Sequence, residues 1–386
     1  METNIEKILH MNGGHEEHSY AQNSSYQRNG LRFLRPFLEE CISQMKIIPS
    51  ACERFCIADL GCSAGPNTLF VAETISNAVQ KKYMEMESRP MPDLQVFFSD
   101  LPSNDFNSLF QSLSLKSSED SYYNSGNGGL SKSKYFAAAV AGSFHKRLFP
   151  KNSLHFVHSS YSLHWLSRVP AEIEDKNSRC WNGPRVVISE DTPEEVAEAY
   201  VRQFCKDFNS FLRARAEEVV GEGRMFLFLL GRASSDPRDQ GAISTMGNIL
   251  NAAFHDMVSQ GVIEEEKRDS FNLPFFAPSV DELRSEVEKE GSFIAIRIEF
   301  LKGVRDSQQA NMDMETEDNR SAFGRMAANH FRAILEGLVS SHFGAGVVNP
   351  LFERFAARVA EKASEASKFF REGGGILAVL ERAETS

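Results

Sequence analysis

Ala58-Asp-Leu-Gly-Cys-Ser-Ala-Gly-Pro-Asn67 follows an apolar run, Phe55–Leu60, and precedes a helical pattern, Thr68–Tyr83, with Asn67 or Pro66 at its start. A strand that ends in a glycine turn and opens a helix lets the backbone approach a ligand closely, and the helix N-terminus adds free N–H donors. Only Gly61 and Gly65 stand in the A-D-L-G-x-x-x-G frame, so the dinucleotide fingerprint G-x-G-x-x-G is absent. The next apolar run, Leu94–Ser99, ends in Asp100-Leu-Pro. A single acid at that strand end can hold ribose hydroxyls, which favours a nucleoside ligand without a pyrophosphate. A turn that merely joins strand to helix is the plain alternative.

Outward from this unit, short β-rich runs alternate with amphipathic stretches. Further strands are expected at Leu154–His158, Met225–Leu230, Phe293–Phe300 and Ile376–Leu380, and helices at Glu194–Val220, Ala242–Gln260, Val280–Glu290, Arg320–Ser341 and Leu351–Arg371. The alternation predicts an α/β fold with a mostly parallel sheet. Ser112–Lys134, rich in Ser, Asn and Gly, reads as a mobile surface loop, and Asp306–Asn319 as a polar connection. Surplus helices are expected to cap the carboxyl ends of the strands, where open α/β sheets bind ligands. The chain then reads as one unit, with core sheet segments near 50–180, 221–241, 291–305 and 372–386, and a helical cap near 1–35, 242–290 and 306–371.

The 386 residues carry 42 Lys+Arg against 53 Asp+Glu, a formal charge of −11. That balance argues against a phosphate backbone as partner. Six cysteines contain no C-x-x-C pair, which fits a reducing compartment. No apolar run is long enough for a bilayer span and the N-terminus lacks a signal-peptide pattern, so a cytoplasmic protein is expected. His155 and His158 fall on opposite faces of a strand, which disfavours chelation by that pair. A hydrolase is also disfavoured, since no G-x-S-x-G elbow follows any strand. Ser159-Ser-Tyr-Ser-Leu-His-Trp-Leu-Ser167 leaves its strand at the carboxyl end and offers a substrate wall; Trp165 is either a donor to an anionic oxygen or a core residue.

These motifs recur together in one family. Leu9-His-Met-Asn-Gly-Gly14, Ser19-Tyr-Ala-Gln-Asn-Ser24, Gln27, Ala58–Asn67, Phe98-Ser-Asp-Leu-Pro-Ser-Asn-Asp-Phe-Asn107, Gly142-Ser-Phe144, Ser159–Trp165 and Glu264–Pro274 resemble, in order, the SABATH family of plant S-adenosylmethionine-dependent carboxyl and N-methyltransferases. The resemblance implies a class I methyltransferase fold, Rossmann-like, with a seven-stranded mostly parallel sheet and an α-helical cap, commonly as a homodimer. It implies that Ser24, Asp59, Asn67, Asp100, Leu101, Ser143 and Phe144 contact S-adenosylmethionine, with Asp100 on the ribose and Ser143 and Phe144 near the adenine. Gly61 and Gly65 would let the cofactor approach, and Tyr20 would sit beside the sulfonium. Gln27 and Trp165 would grip the substrate carboxylate, with Tyr161 and His164 in the pocket wall. Asn182, Asp269, the Phe271 carbonyl and Asn272 match the positions of a magnesium ion in relatives. Three departures touch the lid and adenine loop: Gly13-Gly-His-Glu-Glu17, Val140-Ala-Gly-Ser-Phe144 and Asn12.

A carboxylate is already ionised at neutral pH, so it needs no general base and its methylation is a matter of positioning. Within the family, Gly247 is similar to the indole-3-acetate branch, where salicylate-type enzymes carry Trp; Met246, Phe331 and Ile334 would line the same cavity. A mid-helix glycine that eases packing is the other reading of Gly247. The expected reaction is therefore methyl ester formation on a small aromatic acid, indole-3-acetate first, with salicylate, benzoate or cinnamate as nearest alternatives. Methylation of nitrogen or sulfur, and a non-catalytic ligand-binding protein, are the competing classes.

Overall fold

In the computed structural model, residues 5–46, 53–86, 90–123, 134–303 and 314–384 are described. Among them seven strands form one sheet: β1 (Arg54–Leu60), β2 (Asp93–Asp100), β3 (Phe136–Ala141), β4 (Leu154–Ser160), β5 (Val219–Leu230), β6 (Phe293–Leu301) and β7 (Gly375–Arg382). Their order is β3-β2-β1-β4-β5-β7-β6. The first five are parallel, and β7 runs antiparallel between β5 and β6. The expected Rossmann-like architecture is present. β3 adds a strand from an alanine-rich run whose low β-propensity hides it.

Helices are α1 (Tyr20–Asn23), α2 (Ser25–Ser43), α3 (Pro66–Glu85), α4 (Phe106–Tyr123), α5 (Glu194–Glu218), α6 (Ala242–Ser259), α7 (Glu265–Asp269), α8 (Val280–Glu290), α9 (Glu317–Phe343), α10 (Val348–Glu361) and α11 (Ala363–Glu372). Two expectations change. Residues 112–123, read as loop, continue α4, and the rest of that stretch to residue 133 lies outside the described residues, as does 306–313 of the polar connection. The single late helix expected over Leu351–Arg371 is two, α10 and α11, broken at Lys362.

The apolar faces account for the layers. One sheet face buries Phe204, Phe208 and Phe211 of α5 with Leu283 and Val287 of α8. The other buries Leu34, Leu38 and Ile42 of α2 with Val71, Ile75 and Val79 of α3. A separate cluster joins Phe254 of α6, Phe323 and Leu338 of α9, Phe355 of α10 and Phe369 of α11, and forms the cap. α8 starts in a capping box, in which Ser279 and Glu282 satisfy each other's backbone N–H, and ends at left-handed Gly291. Although its position in the chain groups it with the cap, its apolar side faces the sheet. No helix among the described residues is long and apolar enough to cross a membrane.

Candidate active site

Two cavities open between the carboxyl ends of the strands and the cap. The first, about 700 Å³, is lined by Gly61, Ser63, Asp100, Leu101, Ser143, Phe144 and Ser160 from the sheet side, and by Ile5, Glu6, Leu9, His10 and Met11 from the N-terminal segment. Its floor is the turn after β1. Gly61 takes φ +77°, a conformation that favours glycine, and a Cβ there would meet the Ser162 side chain at 2.1 Å. Asp100, at the end of β2, accepts from the backbone N–H groups of Ser63 (2.7 Å) and Leu101 (2.8 Å). Burial nevertheless pushes its carboxyl up to about 6. Ser63 Oγ is buried with no partner, a free donor and acceptor at the cavity wall.

Ser24, Asp59 and Asn67 lie behind this wall. Asn67 Nδ2 donates to Ser24 Oγ (3.0 Å), and Asn67 Oδ1 accepts from Arg28 Nε (3.3 Å). Asp59 accepts from Thr68 Oγ1 (2.5 Å) and is 2.7 Å from His158 Nδ1. These three residues shape the turn from beneath. The loop carrying Ser143 and Phe144 is pinned by a fully buried ion pair that the sequence reading passes over. Arg215 binds Glu218 (2.7 Å) and donates to the carbonyls of Phe144 and Lys146 (both 2.9 Å), while Glu218 accepts from the backbone N–H groups of Leu148 and Phe149. Its signal in the sequence is only an i, i+3 pair at a helix end.

The second cavity, about 800 Å³, lies under the cap. All of the expected acceptor residues line it: Tyr20, Gln27, Tyr161, His164, Trp165, Met246, Gly247, Phe331 and Ile334. Tyr26, Val187, Phe275, His330 and Phe369 line it too, from elements that only the fold brings together. The described lining holds no Lys, Arg, Asp or Glu. Gln27 is buried with its amide oxygen unpartnered, and a half-turn of the amide would present its NH₂ instead. Burial pushes His164 down to about 3; its Nδ1 accepts from the Leu230 N–H (3.2 Å), which leaves the proton on Nε2. Burial likewise raises the Tyr20 and Tyr161 phenols, so both stay protonated.

Met11, Tyr20, Tyr161 and Trp165 line both cavities, so the two meet at these side chains. Tyr161 holds φ +60° there, a strained backbone conformation for a tyrosine. Gly247 sits at the chamber wall, but a Cβ on it would lie 2.1 Å from Val187 Cγ2. Width at that point is thus set by a pair of residues.

The N-terminal segment straps cap to sheet across the first cavity. The Asn12 N–H donates to the Ala333 carbonyl (2.9 Å) and its side chain to Glu336 (2.9 Å), both on α9. On the sheet side, Gly14 N donates to Asp105 (2.8 Å) and Lys146 bonds Glu6 (2.6 Å). Gly337 permits the contact with α9, since a Cβ there would stand 2.5 Å from the Ile8 carbonyl.

The residues matched to a magnesium site bond among themselves and to their neighbours. Asn182 Nδ2 donates to the Arg185 carbonyl and to Asn272 Oδ1, both at 2.7 Å, and Asp269, the one carboxylate, is held by Arg268 at 2.6 Å. Asn182 Oδ1 is buried without a partner, and Asp269, the one carboxylate in the set, is paired with Arg268 through Oδ1. Among the described residues no group of three or more His, Cys, Asp or Glu could hold a metal ion.

A family profile described as SAM dependent carboxyl methyltransferase matches residues 6–382. The chain belongs to that family, SABATH. Indole-3-acetate O-methyltransferase 1 of Oryza sativa subsp. japonica is 42% identical over 368 residues, covering 94% of this chain and 89% of its own. Probable jasmonic acid carboxyl methyltransferase 1 of Theobroma cacao is 40% identical over 374 residues, 95% and 97% of the two chains. Among solved structures, loganic acid methyltransferase with SAH superposes with a TM-score of 0.83 at 33% identity, covering 97% of this chain and 99% of that one. This SABATH methyltransferase therefore uses S-adenosylmethionine. The first cavity fits it, with a buried acid, Asp100, and the unpartnered Ser63 hydroxyl in its wall.

Proposed function

We propose that this methyltransferase esterifies the carboxylate of a small planar acid, with indole-3-acetate as the preferred acceptor. The observation that carries this is the junction: an apolar, ring-lined chamber without fixed charge opens onto the cofactor cavity at Tyr20, Tyr161 and Trp165. When bound, S-adenosylmethionine supplies a methyl group on a cationic sulfur. The chain's own residues then do three things. Gln27 and Trp165 hold the acid's carboxylate by neutral N–H donors, which orient it without quenching its charge as a lysine or arginine would. Tyr26, Tyr161, Phe275, Phe331 and Phe369 enclose a flat ring and exclude water, which favours a transition state in which opposite charges cancel over reactants that water would otherwise solvate. Burial and the Leu230 N–H on its Nδ1 make His164 a weak base, which suits a nucleophile that is already ionised.

Support for indole-3-acetate comes from the rice relative and from Gly247; the cacao relative keeps jasmonate-like acids in the comparison. Purified protein with methyl-labelled cofactor and a panel of indole-3-acetate, salicylate, benzoate, cinnamate and jasmonate should yield base-labile esters, with indole-3-acetate giving the highest kcat/KM. Base-stable products alone would reject the carboxylate reading, and a higher value for another acid would reject the acceptor. The homodimer implied by the resemblance belongs to this proposal, and sedimentation should give a mass of two chains.

A further inference from the structure

The described lining of the acceptor chamber contains no exposed residue, so an acid needs a route to it. One end of the chamber meets the cofactor cavity at Met11, Tyr20, Tyr161 and Trp165. That end is shut once the first cavity is filled and the N-terminal segment lies across it. Another side meets a third cavity, of about 600 Å³. The chamber and this cavity share Tyr26, Leu230, Ile243 and Phe369, whereas the first and third cavities have no lining residue in common.

The third cavity is walled by the loop after β5, the start of α6, the end of β6 and the end of α11. Ala233, Asp239, Gly241, Lys302 and Glu372 on its rim are exposed, so among the described residues it is open to water. Its mouth is braced. Arg232, buried in the loop after β5, donates to the carbonyls of Ala277 (2.7 Å) and Asp236 (3.1 Å) and to Glu282 (2.5 Å), and its backbone N–H to the Pro278 carbonyl (2.9 Å). Gly241 holds φ +56° at the rim, and a Cβ there would meet nothing within 4 Å. Between mouth and chamber stand side chains: Tyr26 and Phe369 lie parallel, 5.0 Å apart and 2° off plane, with Leu230 and half-buried Ile243 completing the partition. We infer that the third cavity is the passage by which the acid enters the chamber and the ester leaves it, while the cofactor stays strapped at the far end. A flat ring sliding past Tyr26 and Phe369 exchanges one apolar contact for another, and side-chain rotation clears its way. The inference rests on the acceptor reading of the chamber and adds its route: the two ligands use separate doors.

Stopped-flow binding of indole-3-acetate to the whole enzyme tests the route, with the fluorescence of Trp165 in the chamber wall as the signal. Preloading with S-adenosylhomocysteine should not lower the acid's on-rate by more than about threefold; a drop of about tenfold or more would place entry at the cofactor end and overturn the inference. Ala242 lines the third cavity but not the chamber, so Ala242→Phe narrows the passage away from the bound acid. On- and off-rates for the acid should then fall together, by about fivefold or more, with Kd within about twofold and S-adenosylhomocysteine kinetics unchanged, since an obstacle on the route raises the barrier and not the bound state. A changed Kd at constant on-rate would make the cavity part of the acceptor site, and unchanged rates would leave it off the route; either result rejects the passage. If Ala242→Phe does not fold, Ala233→Phe at the exposed rim takes its place. Failure of the acceptor reading shows separately, as absence of ester from the unaltered enzyme with every acid of the panel.

Discussion

At the residue scale, Gln27, Asp100 and the Val187–Gly247 pair carry separable expectations. Gln27→Ala removes one of two donors to the acceptor and should lower kcat/KM for the acid by about ten- to a hundredfold, a loss of roughly 1.5–3 kcal/mol, while S-adenosylhomocysteine affinity measured by calorimetry stays unchanged. Asp100 gives a pH dependence whose sign follows from its raised carboxyl. Ribose hydroxyls bind the ionised form better, so as pH falls through about 6 the group protonates and cofactor affinity falls, with a proton released on binding in that range. Titrations between pH 5 and 8 in two buffers of different ionisation enthalpy would show it; a flat affinity down to pH 5 would remove Asp100 from the ribose. Gly247→Trp alone should overpack against Val187 and destabilise by about 1–3 kcal/mol in a thermal melt. Combined with Val187→Ala it should recover stability and shift the kcat/KM ratio from indole-3-acetate toward one-ring acids. The acceptor grip was legible because its residues come in short blocks of sequence. Val187 was not, since its relation to Gly247 exists only after residues 60 positions apart are folded together.

At the element scale, the link between α5 and the loop after β3 can be broken without touching the cavity. Glu218→Gln leaves Arg215 buried without a counter-charge, which should cost about 3–5 kcal/mol of stability and, in the fraction that remains folded, raise KM for the cofactor more than KM for the acid. A change confined to melting temperature would make the pair structural only. The strands β1, β2, β4, β5, β6 and β7 could be read from apolar runs ending in turn residues, and their partner helices from period. α2 escaped because Pro36 stands inside it and interrupts the pattern, and α4 because serines dominate the part read as a loop. In α2, packing against α3 outweighs local preference.

At the scale of the whole molecule, the strap from Ile5 to Asn23 ties α9 of the cap to the sheet across the cofactor. Gly337→Ala inserts a methyl where the Ile8 carbonyl lies. Alanine favours a helix over glycine by about 1 kcal/mol, so the melt should move little; the strap should lift, and stopped-flow release of S-adenosylhomocysteine should quicken. An unchanged release rate would mean that the strap does not govern exit. The opening residues read as part of a lid, but their anchors, from Ala333 to Asp105, lie far along the chain and are visible only in the fold. Should release quicken in that variant, departure of the nucleoside product would be tied to the parting of the Asn12–Ala333 and Gly14–Asp105 bonds, and turnover would then respond to how fast spent donor is cleared.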